Sequence, residues 1–417
     1  MHIVIVCDYG EVNGGAAKVA VLSARGLADA GIAVTYVCSI APVSALLNHP
    51  RITVHCLKLE SVWEKRNPLV AAAQGIWNRR ARRALEAILD SLPDETVVHF
   101  HQWTKALSPS VLLAPLRRGF PALASLHDYF IVCPNGAYYL FPAAAPCRLA
   151  PMSARCIAAN CDRCSYLHKL VRVIRQWATR AAIGRCGETL RSLSVSPFAD
   201  SVVAPFMLPS GDRFVVRSPV ETAREPPVPA DRNAEFLFIG RLTEEKGVRL
   251  LAQVANQAGL PLTVVGDGPL LDELKRIGGA VRCTGWLDSP ALAGVFKRAR
   301  ALVFPSTWYE TGGLVVLEAL ARGIPVIVSR TTAPVDFVDD GVNGYVIDSN
   351  DRAALLARMQ SLLDDSVAAR MGAEAYHRYW TNPQTPEVHT RNLLAVYRRL
   401  LSEHRLCAGE RLSAAQS

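Results

Sequence analysis

The chain has 417 residues, half of them hydrophobic and a fifth charged, and a formal net charge of +9. This length predicts two domains that each bury a core, and the composition excludes a disordered chain. No apolar run reaches the roughly 20 residues of a membrane span. The opening MHIVIVCDYG lacks the basic lead of a secretory signal, so we expect a first strand and a cytosolic protein with reduced cysteines.

The positive charge is concentrated in the first half. Residues 1–212 contain 22 Lys and Arg against 14 Asp and Glu, whereas residues 213–417 contain 24 against 23. A basic first half indicates an anionic partner there, such as lipid phosphate or a membrane surface. The arginines are not interleaved with a stacking platform and no nucleic-acid motif is present, so we expect no nucleic-acid partner.

The chain opens with a predicted strand–helix–strand unit over residues 2–38. Its glycine loop, Asn13-Gly14-Gly15, would let a phosphate approach the backbone at the start of a helix. The loop does not match GxGxxG, and no acidic residue follows at the spacing typical of nicotinamide-ribose contacts, so a dinucleotide is not favoured. A plain tight turn is the alternative.

Two histidines end predicted strands farther along. His101 follows a strand over 96–100, and His127 follows a strand over 122–126. The carboxyl ends of strands in an α/β domain face the ligand crevice. Both histidines are therefore candidates for the crevice, His127 for contacting a ligand and His101 for a supporting role.

Two helical segments combine basic and apolar residues. One lies within residues 61–90 and carries the arginine cluster of residues 79–83 beside Trp77; the other spans 166–185. The second could lie on a membrane surface, or it could pack on the core and leave a basic face in water, which we favour. Its predicted apolar face is Leu167, Leu170, Val171, Ile174, Trp177 and Ala181, and its basic face is Lys169, Arg172, Arg175 and Arg180.

Five cysteines fall within an insert at residues 133–164, which ends in Cys-x-x-Cys. In a cytosolic chain this favours a tetrahedral Zn²⁺ site over disulfides. The spacing matches no standard zinc finger, so small buried cysteines without a metal are the alternative. Cys133 is the spare residue, and the candidate structural Zn²⁺ ligands are Cys147, Cys156, Cys161 and Cys164.

The second half carries two motifs that suit an anionic ligand. An apolar strand over 235–239 precedes Gly240, Arg241 and Lys246, and two cations on such a loop can neutralise a diphosphate. Farther on, Glu310 lies in a loop before a helix that opens at two glycines and contains Glu318. The unpaired amides at such a helix start suit a phosphate or a sugar hydroxyl.

Read in order, these motifs resemble the C-terminal domain of the retaining family 4 glycosyltransferases. The matching residues are Gly240-Arg241-Leu242 with Lys246-Gly247, Gly266-Asp267-Gly268, Gly285, Pro305-Ser306, and Glu310 with Glu318. The resemblance covers residues 235–350 closely and the rest more loosely. It implies an α/β GT-B fold, with two Rossmann-like domains facing across a cleft and a C-terminal helix crossing back to the first.

The resemblance also implies a reaction and roles for residues. A sugar would move from a nucleotide-diphosphate sugar to a hydroxyl with retention of configuration, and no cofactor would be required because two cations serve the diphosphate. The implied catalytic residues are His127, Arg241, Lys246 and Glu310. The implied donor-binding residues are Gly15, Gly240, Gly266, Trp286, Leu287, Gly312, Gly313, Leu314 and Glu318.

The predicted domains are an acceptor-side domain over residues 1–212, a linker over 213–233, a nucleotide-sugar domain over 234–384, and a crossover helix and tail over 385–417. We expect a peripheral enzyme at the inner face of the cell membrane, acting on a lipid-linked or glycan acceptor in bacterial-type cell-surface polysaccharide or lipopolysaccharide synthesis. A non-catalytic nucleotide-sugar sensor and a glycoside hydrolase are the alternatives.

Overall fold

The computed structural model describes residues 1–207 and 212–416, with side chains described through residue 406. The strands in chain order are β1 (His2–Tyr9), β2 (Ala33–Ile40), β3 (Ile52–Cys56), β4 (Thr96–Phe100), β5 (Ala122–Leu126), β6 (Tyr139–Leu140), β7 (Ala145–Pro146), β8 (Leu190–Ser194), β9 (Arg213–Val215), β10 (Glu235–Ile239), β11 (Leu262–Val265), β12 (Val281–Gly285), β13 (Ala299–Phe304), β14 (Val326–Ser329) and β15 (Gly344–Ile347). The helices are α1 (Gly15–Asp29), α2 (Pro68–Ile76), α3 (Arg79–Asp90), α4 (Ala154–Ala158), α5 (Tyr166–Cys186), α6 (Pro197–Val203), α7 (Val248–Gln257), α8 (Leu271–Ile277), α9 (Ser289–Phe296), α10 (Leu314–Leu320), α11 (Arg352–Ser361), α12 (Asp365–Thr381) and α13 (Pro386–Gln416).

Seven parallel strands form the first sheet, in the order β3-β2-β1-β4-β5-β8-β9. In β1, Ile3 and Ile5 enter the core that α1 covers, whereas Val4 and Val6 enter the core on the opposite face. Because both faces are covered, the central strand is apolar at successive positions. Strand β9 lies just beyond residue 212, so the first domain extends past the predicted boundary.

Six parallel strands form the second sheet, in the order β12-β11-β10-β13-β14-β15. The strand order reverses between β10 and β13 here, and between β1 and β4 in the first sheet. Loops leave such a reversal in opposite directions and open a crevice at the carboxyl ends of the strands. The two predicted Rossmann-like domains are confirmed, and each sheet offers one crevice.

The last helix joins the domains. Trp380, at the end of α12, donates from Nε1 to the Ala321 carbonyl in the second domain at 2.9 Å. Helix α13 then buries Leu393, Tyr397 and Leu400 in the first-domain core beside α1. The predicted C-terminal crossover is confirmed.

Helix α5 faces the opposite way from our preferred interpretation. Lys169 and Gln176 are buried, whereas Leu167, Ile174 and Trp177 are 74%, 46% and 55% exposed. The expectation that its apolar face packs on the core and its basic face lies in water is therefore wrong.

The reason is the loop beneath α5. Gln176 Nε2 donates to the Ile131 carbonyl at 2.8 Å, and Arg175 to the Pro134 carbonyl at 3.4 Å. Arg172 pairs with the buried Asp162 at 2.9 Å. Buried carbonyl and carboxylate groups need donors, so they select the polar face of the helix. None of the described helices is both long and apolar enough to cross a membrane.

Candidate functional site

A cleft of about 500 Å³ lies between the two domains. Its walls are the loops after β1, β5, β10 and β13 together with the start of α10. The strand reversals of both sheets therefore face one shared space. It brings together ten residues singled out from the sequence: Gly15, His127, Gly240, Arg241, Lys246, Glu310, Gly312, Gly313, Leu314 and Glu318.

Lys246 reaches the cleft from a single helical turn after β10. The turn ends at Gly247, whose φ is 69° and whose Cβ, if present, would lie 2.2 Å from the Pro305 carbonyl oxygen. A side chain at this position would push the loops after β10 and β13 apart. Glycine thus brings the Lys246 loop against the loop that carries Glu310. Arg241 lines the same cleft with its side chain exposed.

The Lys246 ammonium and the Glu310 carboxylate form an ion pair. Glu310 is 8% exposed and also accepts a hydrogen bond from Ser306 Oγ at 3.2 Å. Its backbone amide donates to the Thr331 carbonyl at 3.3 Å. Lys246 and Glu310, which lie on separate loops in the sequence, therefore contact each other. The lysine has three N–H donors, so it can bind an anion and keep this contact.

His127 sits across the cleft with its imidazole fixed. Its Nε2 lies 3.0 Å from Nδ1 of His101, and the two rings stack with centroids 5.2 Å apart. Burial, reinforced by His389, lowers the pKa of His127 to about 3. Burial likewise lowers the pKa of His101, with smaller effects of His99, His127 and His389. The imidazole of His127 is therefore neutral at cellular pH, and His101 supports it, as the sequence position suggested.

Hydrogen bonds between the domains close the cleft around His127. Thr311 Oγ1 donates to the His127 carbonyl at 2.8 Å, and Ser196 Oγ donates to the Thr311 carbonyl at 2.8 Å. Thr311 immediately precedes the glycines at the start of α10, so these bonds set the distance between His127 and the α10 amides. Sequence reasoning missed Ser196 and Thr311, because neither belongs to a charged or glycine-rich pattern.

Glu318 lies one turn inside α10 and faces the cleft. Burial raises the pKa of its carboxyl group, and Lys18 and Arg322 act in the opposite direction. Lys18 itself lines the cleft and pairs with Glu221 at 3.1 Å. Sequence reasoning missed Lys18, although it follows the glycine loop by one helical turn.

Two further residues that were missed offer donors. The Trp308 Nε1 and the Tyr129 hydroxyl are buried and have no hydrogen-bond partner among the described residues. Both residues line the cleft. Unpaired buried donors are costly, so these groups are suited to a ligand rich in hydroxyl or phosphate oxygens.

Three residues assigned to the donor do not line the described cleft: Gly266, Trp286 and Leu287. Gly266 has a clear steric role, because a Cβ there would lie 1.9 Å from the Gly240 carbonyl oxygen. Trp286 is 76% exposed. The loops that follow β11 and β12, where these three residues lie, are therefore not part of the described cleft walls.

The cysteine insert does not form the predicted ligand set. Cys147, Cys156 and Cys161 line one small cavity together with Cys133, the residue that we had set aside. Cys164 is exposed and does not line it. Lys169 enters the cavity, with its Nζ 3.0 Å from Cys161 Sγ and 3.8 Å from Cys156 Sγ. Among the described residues no three His, Cys, Asp or Glu side chains are arranged to hold an ion.

The insert also contacts the second domain. The Tyr139 hydroxyl lies 3.1 Å from Thr307 Oγ1, and Arg163 donates to the buried Glu245 at 2.6 Å. Glu245 directly precedes Lys246. The insert therefore supports the loop that carries one of the cleft cations.

Comparison with known proteins identifies the family. The family model of glycosyl transferases group 1 matches residues 219–378. A glycogen synthase of Mycobacterium tuberculosis is 30% identical over 307 residues, covering 67% of this chain and 71% of that protein. The chain belongs to the group 1 glycosyltransferases.

Two further likenesses extend this result. An O-antigen chain mannosyltransferase B of Escherichia coli is 32% identical to the group 1 glycosyltransferase described here over 218 residues, or 47% of this chain and 55% of that protein. The crystal structure of Anabaena Alr3699/HepE in complex with UDP superposes with a TM-score of 0.65 at 15% identity, covering 96% and 100% of the two chains. The fold is therefore GT-B, and the protein is a glycosyltransferase.

Proposed function

We propose that this glycosyltransferase moves a sugar from a nucleotide-diphosphate sugar to a hydroxyl of a lipid-linked glycan, with retention at the anomeric carbon. One observation carries the proposal: a single cleft joins Arg241, Lys246 and Glu310 of the second domain to His127 of the first. UDP in the similar Anabaena structure supports a nucleotide donor.

The two cations serve the leaving group. Arg241 and Lys246 offset the negative charge that grows on the departing diphosphate, which is a preorganised electrostatic role. Arg241 can donate two parallel N–H bonds to phosphate oxygens. The amides of Gly312, Gly313 and Leu314 provide additional donors on the same side of the cleft.

The carboxylates and the histidine orient the donor. Glu310 accepts from sugar hydroxyls, and Glu318 from the ribose hydroxyls. The neutral imidazole of His127 contacts the sugar from the first domain. The acceptor oxygen attacks on the face that the diphosphate leaves, so its bond to the anomeric carbon forms as the phosphate–sugar bond breaks. The acceptor proton passes to the departing phosphate oxygen, and no protein nucleophile is used.

The acceptor is a growing cell-surface glycan on a lipid, at the inner face of the membrane. Relatives named for glycogen and for O-antigen chains support a polysaccharide product. The exposed Arg79, Arg80 and Arg83 at the start of α3 provide attraction to anionic lipid, at about 1 kcal/mol for each basic residue.

We extend the proposal to the cysteine insert, which we assign a structural Zn²⁺ on Cys133, Cys147, Cys156 and Cys161. Four thiols around one cavity fit the donor set of a structural zinc site. A tetrathiolate site carries excess negative charge, and the fully buried Lys169 supplies a compensating cation beside two of the sulfurs. The described thiols are not arranged to hold an ion in this structure, so metal binding would require these side chains to rearrange.

A panel of UDP-, GDP- and ADP-sugars tests the enzymatic proposal. One nucleotide sugar should raise the melting temperature, and the same donor should be consumed when crude lipid-linked acceptors are added. Hydrolysis of a simple glycoside without any nucleotide would point to a hydrolase. Stabilisation by a donor that is never transferred to any acceptor would point to a sensor.

A further inference from the structure

Two neighbouring helices of the first domain leave their apolar side chains exposed. Helix α2 has the sequence PLVAAAQGI, yet none of its residues is buried. Leu69 and Val70 on it are 80% and 50% exposed. A stretch so apolar normally buries one face, so this helix lacks the cover that its composition requires.

Helix α5 contacts α2 and continues the same surface. Its outward side chains include Leu167, Ile174 and Trp177, whereas the polar Lys169, Gln176 and Thr179 are buried. Trp63 lies beside α5, because its ring is 5.6 Å from the Arg172 guanidinium, and its side chain is 55% exposed. The α2–α5 surface is defined here as Trp63, Leu69, Val70, Leu167, Ile174 and Trp177.

The exposed charges around this surface are mostly positive. Neither α2 nor α5 contains an aspartate or glutamate. Arg66 lies exposed just before α2, and Arg79, Arg80 and Arg83 lie exposed on the next helix. Glu60 and Glu64 are exposed acidic residues on the segment before α2, and Glu60 pairs with Lys65 at 3.3 Å. Apolar and tryptophan side chains bordered by arginines match the interface of an anionic bilayer.

The surface lies close to the catalytic cleft through α5. The inner face of α5 holds the loop of residues 131–135 by the Gln176, Arg175 and Arg172 hydrogen bonds. Gly136, at the end of that loop, lines the cleft. A membrane on the outer face of α5 would thus lie one helix and one loop away from the reacting groups.

We infer that the α2–α5 surface inserts into the headgroup region of an anionic membrane leaflet and presents the cleft to an acceptor carried by that leaflet. This inference rests on the proposed lipid-linked acceptor and names the surface that meets it. A second copy of the chain is the competing occupant. The arginine border favours anionic lipid, because two copies would bring like charges together.

The experiment measures cosedimentation of the full chain with vesicles of phosphatidylcholine and phosphatidylglycerol in equal parts. L69S/L167S/W177S should bind on the order of 100-fold more weakly, since three partly buried apolar side chains are lost. The control variant L46S/L363S changes leucines that are 42% and 46% exposed outside this surface and should bind like the unchanged protein.

Salt separates the two contributions to binding. In 1 M salt the Debye length is about 3 Å, so charge attraction is screened and the unchanged protein should retain only the part of its binding that comes from apolar contacts. R79Q/R80Q/R83Q should bind more weakly than the unchanged protein mainly at low salt, where charge attraction is not screened. Equal binding of L69S/L167S/W177S and the unchanged protein would overturn the inference. So would a dimer in solution that this variant dissociates, because the surface would then meet a second copy.

Donor turnover distinguishes the two proposals. L69S/L167S/W177S should consume the nucleotide sugar normally with a soluble acceptor analogue and fail with the same acceptor embedded in vesicles. If no nucleotide sugar is consumed by the unchanged protein while vesicle binding still depends on Leu69, Leu167 and Trp177, the surface stands and the proposed reaction fails.

Discussion

The loop after β10 and helix α5 use positive charge in opposite ways. On the second-domain side, Arg241 and Lys246 line the open cleft. On the first-domain side, Lys169 and Arg175 of α5 point into the protein, where they meet thiols and carbonyl groups. Burial, with a smaller effect of Arg172, lowers the pKa of Arg175 to about 10. The same residue types thus line an open cleft in one region and contact buried groups of the fold in the other.

This difference changes how the net positive charge of residues 1–212 should be interpreted. The +8 of residues 1–212 is not one solvated patch, because part of it offsets buried partners such as Asp162. The exposed arginines closest in sequence to α2 are Arg66, Arg79, Arg80 and Arg83, and the apolar side of α5 supplies the rest of the proposed contact. An estimate from net charge alone would therefore have overstated the electrostatic attraction of residues 1–212 to an anionic membrane.

The largest expected effect comes from removing the cleft cations. R241A/K246A should lower kcat/KM by on the order of 10,000-fold, at about 3 kcal/mol for each lost donor. K246A also leaves the buried Glu310 carboxylate unpaired, so a lower melting temperature is expected for it and not for R241A. Steady-state kinetics with the best donor from the nucleotide-sugar panel provides the measurement.

The matched variant for this contrast is K169M on the first-domain side. It should lower the melting temperature while leaving the KM for the donor unchanged, because Lys169 lies outside the cleft. If R241A/K246A transferred sugar with a kcat/KM within a few-fold of the unchanged enzyme, the cleft cations would not be needed for transfer. The two regions would then not differ in function.

A second effect, of about 5 kcal/mol, concerns four buried histidines on the first-domain side: His99, His101, His127 and His389. Burial lowers the pKa of each. Unfolding frees them to bind protons below about pH 6.5, so the free energy of unfolding should fall as pH falls from 7.5 to 5.5, by about 1.4 kcal/mol for each histidine. Above pH 7.5 this contribution is constant.

Urea unfolding at the two pH values measures this loss. Burial raises the pKa of Asp8 and of Asp128, which acts in the opposite direction, so the decisive quantity is a difference between variants. H389Q should lose about 1.4 kcal/mol less between pH 7.5 and 5.5 than the unchanged protein. H377Q, an exposed position on α12, is the control. An identical pH dependence for H389Q would show that His389 accepts a proton in the fold.

The sequence predicted the loops after β10 and β13 better than it predicted helix α5, for physical reasons. Gly240, Arg241, Lys246 and Glu310 lie on short loops tied to a regular strand pattern, and local spacing places them. The direction of α5 depends instead on carbonyl groups of residues 131–135, which are distant partners that no helical periodicity reveals. The Ser196–Thr311–His127 contact is similarly a product of how the two domains meet.

The smallest effect tests whether the first-domain insert uses its charge as described. C161S should reduce a metal content of about one equivalent to near zero. It should cost about 3 kcal/mol of stability, because the buried Lys169 loses its sulfur partner. C164S, at the exposed cysteine, should keep the metal and change stability by less than about 0.5 kcal/mol. C133S should behave like C161S, since Cys133 lines the same cavity.

Elemental analysis measures the metal content, and melting temperatures with and without a chelator measure its contribution to stability. Purified protein that contains no metal, and whose melting temperature is the same with and without a chelator, would contradict the zinc site. If C161S still destabilised that protein, the contact between Lys169 and Cys161 would account for the loss, and the contrast between the loop after β10 and α5 would persist without a metal.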